Sequence, residues 1–111
     1  MTGGLLIYGA NGYTGELIAR AAAAAGLAPV LAGRSAAPIE SLARELGCKF
    51  RVFSLDDAAT VATALAGSRV VLHCAGPFSA TAGPMMAACL AARAHYTDIT
   101  GEIEVFELGF R

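Results

Sequence analysis

The sequence predicts an α/β fold of three layers, with a doubly wound parallel sheet of about five strands between helices. Short apolar runs alternate with helix-like segments along the whole chain, five times over. The joints between them are short, which suits β-α-β units whose strands lie parallel, with right-handed crossovers and a strand order of 3-2-1-4-5. A turn with glycines at every third position follows the first strand and opens the first helix.

Residues 5–8 (Leu-Leu-Ile-Tyr) are continuously apolar and bounded by glycines, as in a strand buried on both faces. Residues 12–25 read as helix, closed by Gly26. Residues 28–32 form the second strand, ended by Gly33-Arg34-Ser35. Pro38 stands where a first helical turn tolerates it, apolar residues follow at 39, 42, 43 and 46, and Gly47 stops that helix. Residues 50–54 alternate as a third strand. Asp56 or Asp57 then caps a helix running to about Leu65, with Val61, Ala62 and Leu65 at helical spacing. Residues 70–74 make the fourth strand, 75–79 a loop, and 83–94 another helix. Residues 95–99 are expected as a fifth strand and 102–108 as a last helix.

Composition narrows the function classes. The 111 residues suit one domain able to bury a core. Eight basic and nine acidic side chains, without a like-charge run, argue against a nucleic-acid surface. The hydrophobic content of 56% is high, but much of it is alanine, as at 21–25, which serves a helix as well as a core. The most apolar window, 17–32, holds Arg20, Gly26 and Pro29 and divides into a helix and a strand, so no membrane span is expected. No secretory signal pattern opens the chain. Cys48, Cys74 and Cys89 are odd in number and widely spaced, which fits neither structural zinc nor a disulfide framework. They are expected to be reduced thiols in a cytoplasmic protein, with no metal site.

The glycine turn carries the chemistry. In Gly9-Ala10-Asn11-Gly12-Tyr13-Thr14-Gly15, Gly9 permits a tight exit from the strand. Gly12 lets backbone approach a pyrophosphate without a Cβ between, and Gly15 allows close helix packing. Helix N–H groups and the helix dipole then face a diphosphate. The spacing is GxxGxxG, one residue longer in its first half than the usual GxGxxG of a Rossmann-type dinucleotide fold. A P-loop is excluded, because no Gly-Lys-Ser/Thr follows and the only lysine is Lys49. A purely structural set of turn glycines is the alternative, against which stand the preceding strand, the following helix and the β/α chain behind them.

Arg34 ends the second strand, nineteen residues past Gly15. An acid there would bond the ribose hydroxyls of NAD, whereas an arginine offers a planar fork for the 2′-phosphate of NADP. Ser35 adds a hydroxyl and an N–H beside it. An ordinary surface arginine is the other reading, but no acidic residue occurs between Glu16 and Glu40. NADP(H) is therefore the expected cofactor.

Four segments in order resemble the nucleotide-binding half of the saccharopine dehydrogenase-like family: residues 9–15, Ala32-Gly33-Arg34, Cys74-Ala75-Gly76-Pro77-Phe78 and Tyr96-Thr97-Asp98-Ile99-Thr100-Gly101-Glu102. The resemblance covers nearly the whole chain, and the family includes enoyl reductases acting in trans on mycobacterial lipid synthesis. It implies a NADP(H)-linked oxidoreductase that transfers hydride between the nicotinamide and an imine or alkene. It also implies that Ala75, Gly76, Pro77 and Phe78 border the nicotinamide, and that the chain leaves the nucleotide domain near residues 96–102. Asp56 can reach the adenine edge, although a helix N-cap explains it equally well. His73 stands where many relatives carry a small polar residue, and it reads as a hydrogen-bonded core histidine rather than a catalyst. His95 reads as a strand-end residue, and Met85 and Met86 as core packing.

Only nine residues follow Glu102, too few for a substrate domain. The Tyr-x-x-x-Lys pair of short-chain dehydrogenases is also absent, since Tyr96 precedes Thr100 by four and Lys49 follows Glu45 by four. The expectation is a single Rossmann domain over residues 1–111, truncated before its substrate domain and inactive alone, with no catalytic residue assigned. A non-catalytic dinucleotide-sensing regulator is the alternative, and a structural module with a vestigial site is a third. Exposed apolar residues at the sheet edge and last helix (Val105, Phe106, Leu108, Phe110) suggest a homodimer.

Overall fold

The computed structural model describes residues 4–56, 58–74, 83, 85–87, 89 and 94–98. Five strands form one parallel sheet in the order β3-β2-β1-β4-β5. Their ranges are β1 Leu5–Tyr8, β2 Val30–Gly33, β3 Phe50–Val52, β4 Val70–His73 and β5 His95–Asp98. Between them lie α1 Tyr13–Ala24, α2 Ala36–Leu46 and α3 Ala58–Leu65, and residues 83, 85–87 and 89 are helical between β4 and β5. The expected strand order is the observed one. The expected helix at 102–108, the loop at 75–79 and the apolar residues suggested for a homodimer lie outside the described residues.

Alternation along the central strands builds the two cores. Ile7 of β1 and Leu31 of β2 pack with Ala10, Ala19, Ile39, Leu42 and Ala43, so α1 and α2 cover one face. Leu6, Tyr8, Ala32 and Val71 point the other way, toward Phe53, Val61, Leu65, Met85 and Cys89, so α3 and the helical residues after β4 cover that face. A period of two in each strand meets a period near 3.6 in each helix, so both faces of the central strands are covered, whereas Phe50 and Val52 of the edge strand β3 are exposed. Met85 is fully buried, as expected of a core residue.

β4 ends at His73 rather than 74, and two further strands differ in extent from the expectation, each for a backbone reason. β2 begins at Val30 rather than 28, because Pro29 has no N–H for a ladder and Ala28 takes φ +48°, in the left-handed region. β3 ends at Val52 rather than 54, because the Phe53 carbonyl leaves the sheet pattern and accepts a hydrogen bond from the Tyr8 hydroxyl at 3.0 Å.

Polar contacts tie the helices on. Arg20 of α1 donates to Glu16 one turn before it at 2.9 Å and to Glu45 of α2 at 2.6 Å. Arg51 of β3 donates to the carbonyls of Ala64 and, at 3.2 Å, Ala66, which satisfies the open C-terminal end of α3.

Candidate functional site

The chain grows from β1 outward to β3 and then returns, placing β4 on the other side of β1. That reversal opens a crevice at the carboxyl ends of β1 and β4, the usual place for a ligand in a doubly wound sheet. Most expected site residues with a described position lie at these strand ends.

The β1–α1 turn is shaped by backbone constraints. Gly9 takes φ +82°, which lets the chain leave β1 sharply. Its N–H and that of Ala10 both donate to the Ala32 carbonyl, at 2.8 and 3.2 Å, and the Gly12 N–H donates to the Gly9 carbonyl at 3.0 Å. Gly12 is the N-cap of α1 in extended conformation, and the helical ladder begins with Glu16 N–H to Gly12 carbonyl at 2.8 Å. The first-turn N–H groups ahead of Glu16 have no acceptor four residues back within the helix.

The two later glycines of the turn do different things. Gly15 is buried, and a Cβ there would fall 2.2 Å from the Gly9 carbonyl oxygen. Its expected close approach is therefore to the turn backbone itself. A Cβ on exposed Gly12 would meet only the Gly9 oxygen, at 3.4 Å. The space at Gly12 opens outward, beside the helix N-terminus, where an anion is favoured. Asn11, Tyr13 and Thr14 are exposed around it, with Tyr13 84% accessible.

Arg34 and Ser35 follow β2 and are exposed. Ser35 is the N-cap of α2 but makes no side-chain capping bond. Asp56 is exposed two residues before α3 begins, and its N–H donates to the Ser54 hydroxyl oxygen at 3.0 Å. It is not adjacent to the first helical residue, and Asp57, the other expected cap, lies outside the described residues. Arg34 and Asp56 both act on Tyr8: burial raises its phenol above the ordinary value, the Arg34 charge opposes that, and the Asp56 charge adds to it. The two charged side chains thus share the neighbourhood of the β1 carboxyl end. Ala75, Gly76, Pro77 and Phe78 lie outside the described residues.

The family profile described as "Saccharopine dehydrogenase NADP binding domain" matches residues 5–106, nearly the whole chain and every element above. The chain belongs to this family. Its relatives include a trans-acting enoyl reductase of Mycobacterium bovis, 34% identical over 106 residues, which cover 89% of this chain and 25% of the reductase. The chain thus spans about a quarter of the length of the curated relatives it matches. Saccharopine dehydrogenase (L-Glu forming) of Saccharomyces cerevisiae superposes with a TM-score of 0.79 at 18% identity, over 96% of this chain and 24% of that enzyme. Triphenylmethane reductase of Citrobacter sp., solved with NADP(H), superposes with a TM-score of 0.74 at 21% identity, over 85% of this chain and 36% of that one. At these identities the two structures show a shared fold.

Within this saccharopine dehydrogenase-type domain, the remaining reactive side chains have structural settings. His73 is fully buried, with its ring between those of Tyr8 and Tyr96 at 5.8 and 6.1 Å. Its burial is that expected of a core histidine. Cys74 and Cys89 are pushed up to about 11 by burial, and burial also raises Cys48. All three are free thiols, and their raised values keep them protonated near neutrality, which disfavours nucleophilic roles. Among the described residues, no group of three or more His, Cys, Asp or Glu could hold a metal ion, and no helix is long and apolar enough to cross a membrane.

Two further residues shape the site. In the sequence Gly33 is a strand end and part of the Ala32-Gly33-Arg34 segment; in the fold a Cβ there would fall 2.8 Å from Ile39 Cδ1 and 3.0 Å from Asn11 Oδ1. The bare Gly33 lets Asn11 of the turn lie against the end of β2. Tyr8 offered one signal, a hydroxyl on the last residue of an otherwise apolar strand.

Proposed function

We propose that this chain is the cofactor-holding part of a NADP(H)-dependent oxidoreductase that moves hydride to or from an imine or alkene. The observation that carries the reading is the side-chain-free turn at Gly9, Gly12 and Gly15 with Arg34, not an acid, at the neighbouring strand end.

The residues present fit NADP. A diphosphate is received by the α1 N-terminus over Gly12, with Asn11, Tyr13 and Thr14 around it. Arg34 forks onto the 2′-phosphate, with Ser35 donating beside it, and Asp56 stands at the adenine edge. Ala75, Gly76, Pro77 and Phe78 are assigned to the nicotinamide end on the family resemblance. The cofactor, when bound, supplies or accepts the hydride; this chain holds it and selects the phosphorylated form.

The enoyl reductase name of the curated relatives supports an alkene substrate, and the resemblance to saccharopine dehydrogenases supports an imine. We place the substrate-binding part in sequence beyond the quarter of the relatives that this chain matches, and take residues 1–111 alone as inactive. Association as a homodimer and a cytoplasmic location, the latter supported by the three free thiols, belong to the same proposal.

Titration of the chain with NADPH and NADH at low salt tests the reading by nucleotide fluorescence. Tighter binding of NADPH is expected. Equal affinities would remove the role of Arg34, and failure to bind either would favour a vestigial site. Light scattering at high protein concentration tests the dimer, which a monomer mass would exclude.

A further inference from the structure

The carboxyl ends of the first three strands are joined by a closed circuit of hydrogen bonds. The Gly9 and Ala10 N–H groups donate to the Ala32 carbonyl, at 2.8 and 3.2 Å. One residue on, the Gly33 carbonyl accepts from the Phe53 N–H at 3.0 Å. The Phe53 carbonyl then accepts from the Tyr8 hydroxyl, also at 3.0 Å, which returns the circuit to β1. Every link but the last is backbone to backbone. The last depends on one side chain, which is buried and packed against Phe53, the two rings tilted with centroids 5.0 Å apart.

We propose that Tyr8 is a positioning residue for the adenosine end of the cofactor, its hydroxyl holding the segment from Phe53 to Asp56 in place beside Arg34. The inference rests on the NADP reading above. Its physical basis is that β3 stops at Val52, so the segment carrying Asp56 has left the sheet ladder. Two side-chain bonds order that segment: Tyr8 hydroxyl to Phe53 carbonyl, and Asp56 N–H to Ser54 hydroxyl at 3.0 Å. The Tyr8 phenol is too deep to touch a ligand in the crevice, being 3% exposed. It acts through the backbone that it holds.

Tyr8→Phe keeps the ring and removes only the donor. At a temperature where the variant is fully folded, it should bind NADPH and NADH about 3- to 10-fold more weakly, in equal proportion, because adenine is common to both. Ser54→Ala loosens the same segment without touching the core and should show the same equal loss. A purely structural role would not alter the local response to a ligand. Addition of adenosine 5′-monophosphate should therefore shift the Asp56 amide resonance in the parent protein and much less in Tyr8→Phe. The proposal is overturned if folded Tyr8→Phe binds both nucleotides within about 1.5-fold of the parent, or if the loss is confined to NADPH. Should Tyr8→Phe not fold, unchanged binding by Ser54→Ala overturns it. A parent protein that binds neither nucleotide overturns the cofactor reading first, and the role of Tyr8 with it.

Discussion

Gly15 sits so close beneath Gly9 that a Cβ on Gly15 would fall 2.2 Å from the Gly9 carbonyl oxygen, whereas one on Gly12 would lie 3.4 Å from the same atom. One glycine serves the fold, and the other keeps the outward surface of the turn clear. Gly15→Ala should therefore cost about 3 kcal/mol of stability, since backbone on both sides of the contact must shift. Gly12→Ala should remain within about 1 kcal/mol of the parent, yet lose at least about tenfold in NADPH affinity as its methyl meets the diphosphate. Thermal unfolding beside nucleotide titration separates the two. Equal destabilisation by both would show that Gly12 is also structural.

Arg34 is exposed at the end of β2 with Ser35 beside it. Arg34→Ala should weaken NADPH by about 10- to 100-fold, the loss of a charge-assisted phosphate contact. NADH should change by less than about twofold, because it lacks the 2′-phosphate. Titrations of the variant with both nucleotides give the ratio directly; a parallel loss would show that Arg34 contributes only general positive charge.

Arg51 tests the fold away from the crevice. Its guanidinium caps the C-terminal end of α3 through the Ala64 and Ala66 carbonyls. Arg51→Met keeps the stem and removes the donors, so it should cost about 1–2 kcal/mol. Nucleotide affinity measured on the folded variant should be unchanged.

The α1–α2 bridge makes a pH prediction. Arg20 holds the Glu45 carboxyl below its ordinary value of 4.5, first through the hydrogen bond and then through charge. A carboxyl that is more acidic when folded stabilises the protein above its unfolded value, and that contribution disappears as pH falls through the folded value. Parent and Glu45→Gln should therefore differ in melting temperature at neutral pH, the difference shrinking as pH falls beneath 4.5 and vanishing only below the depressed folded value. Both side chains are exposed, so added salt should shrink the difference at neutral pH as well. Melting curves across pH at two ionic strengths check both trends.

The strand order and the two-faced sheet were legible because each follows from local periodicity. Ile7 and Leu31 must face one way if Leu6 and Ala32 face the other, and short crossovers then leave few topologies. The glycine turn between β1 and α1 was legible for a related reason: glycine acts through its own backbone, so spacing alone places it. Boundaries were less so. Nothing local to residues 50–54 shows that Phe53 gives its carbonyl to a tyrosine 45 positions earlier. Likewise, the need for glycine at 33 comes from Ile39 and Asn11, which meet it only when β1, β2 and α2 are packed.

The amino-acid order of this chain was therefore sufficient for the α/β class, the sheet order, the glycine turn and the place of Arg34 at the end of β2. These are properties of short segments, carried by backbone freedom, side-chain period and charge. Packing alone settled which glycine bears the close contact, how Asn11 lies against β2, and how Tyr8 joins the third strand's exit to the first. Those relations link residues far apart in sequence, and their distances exist only once three strands have been brought side by side.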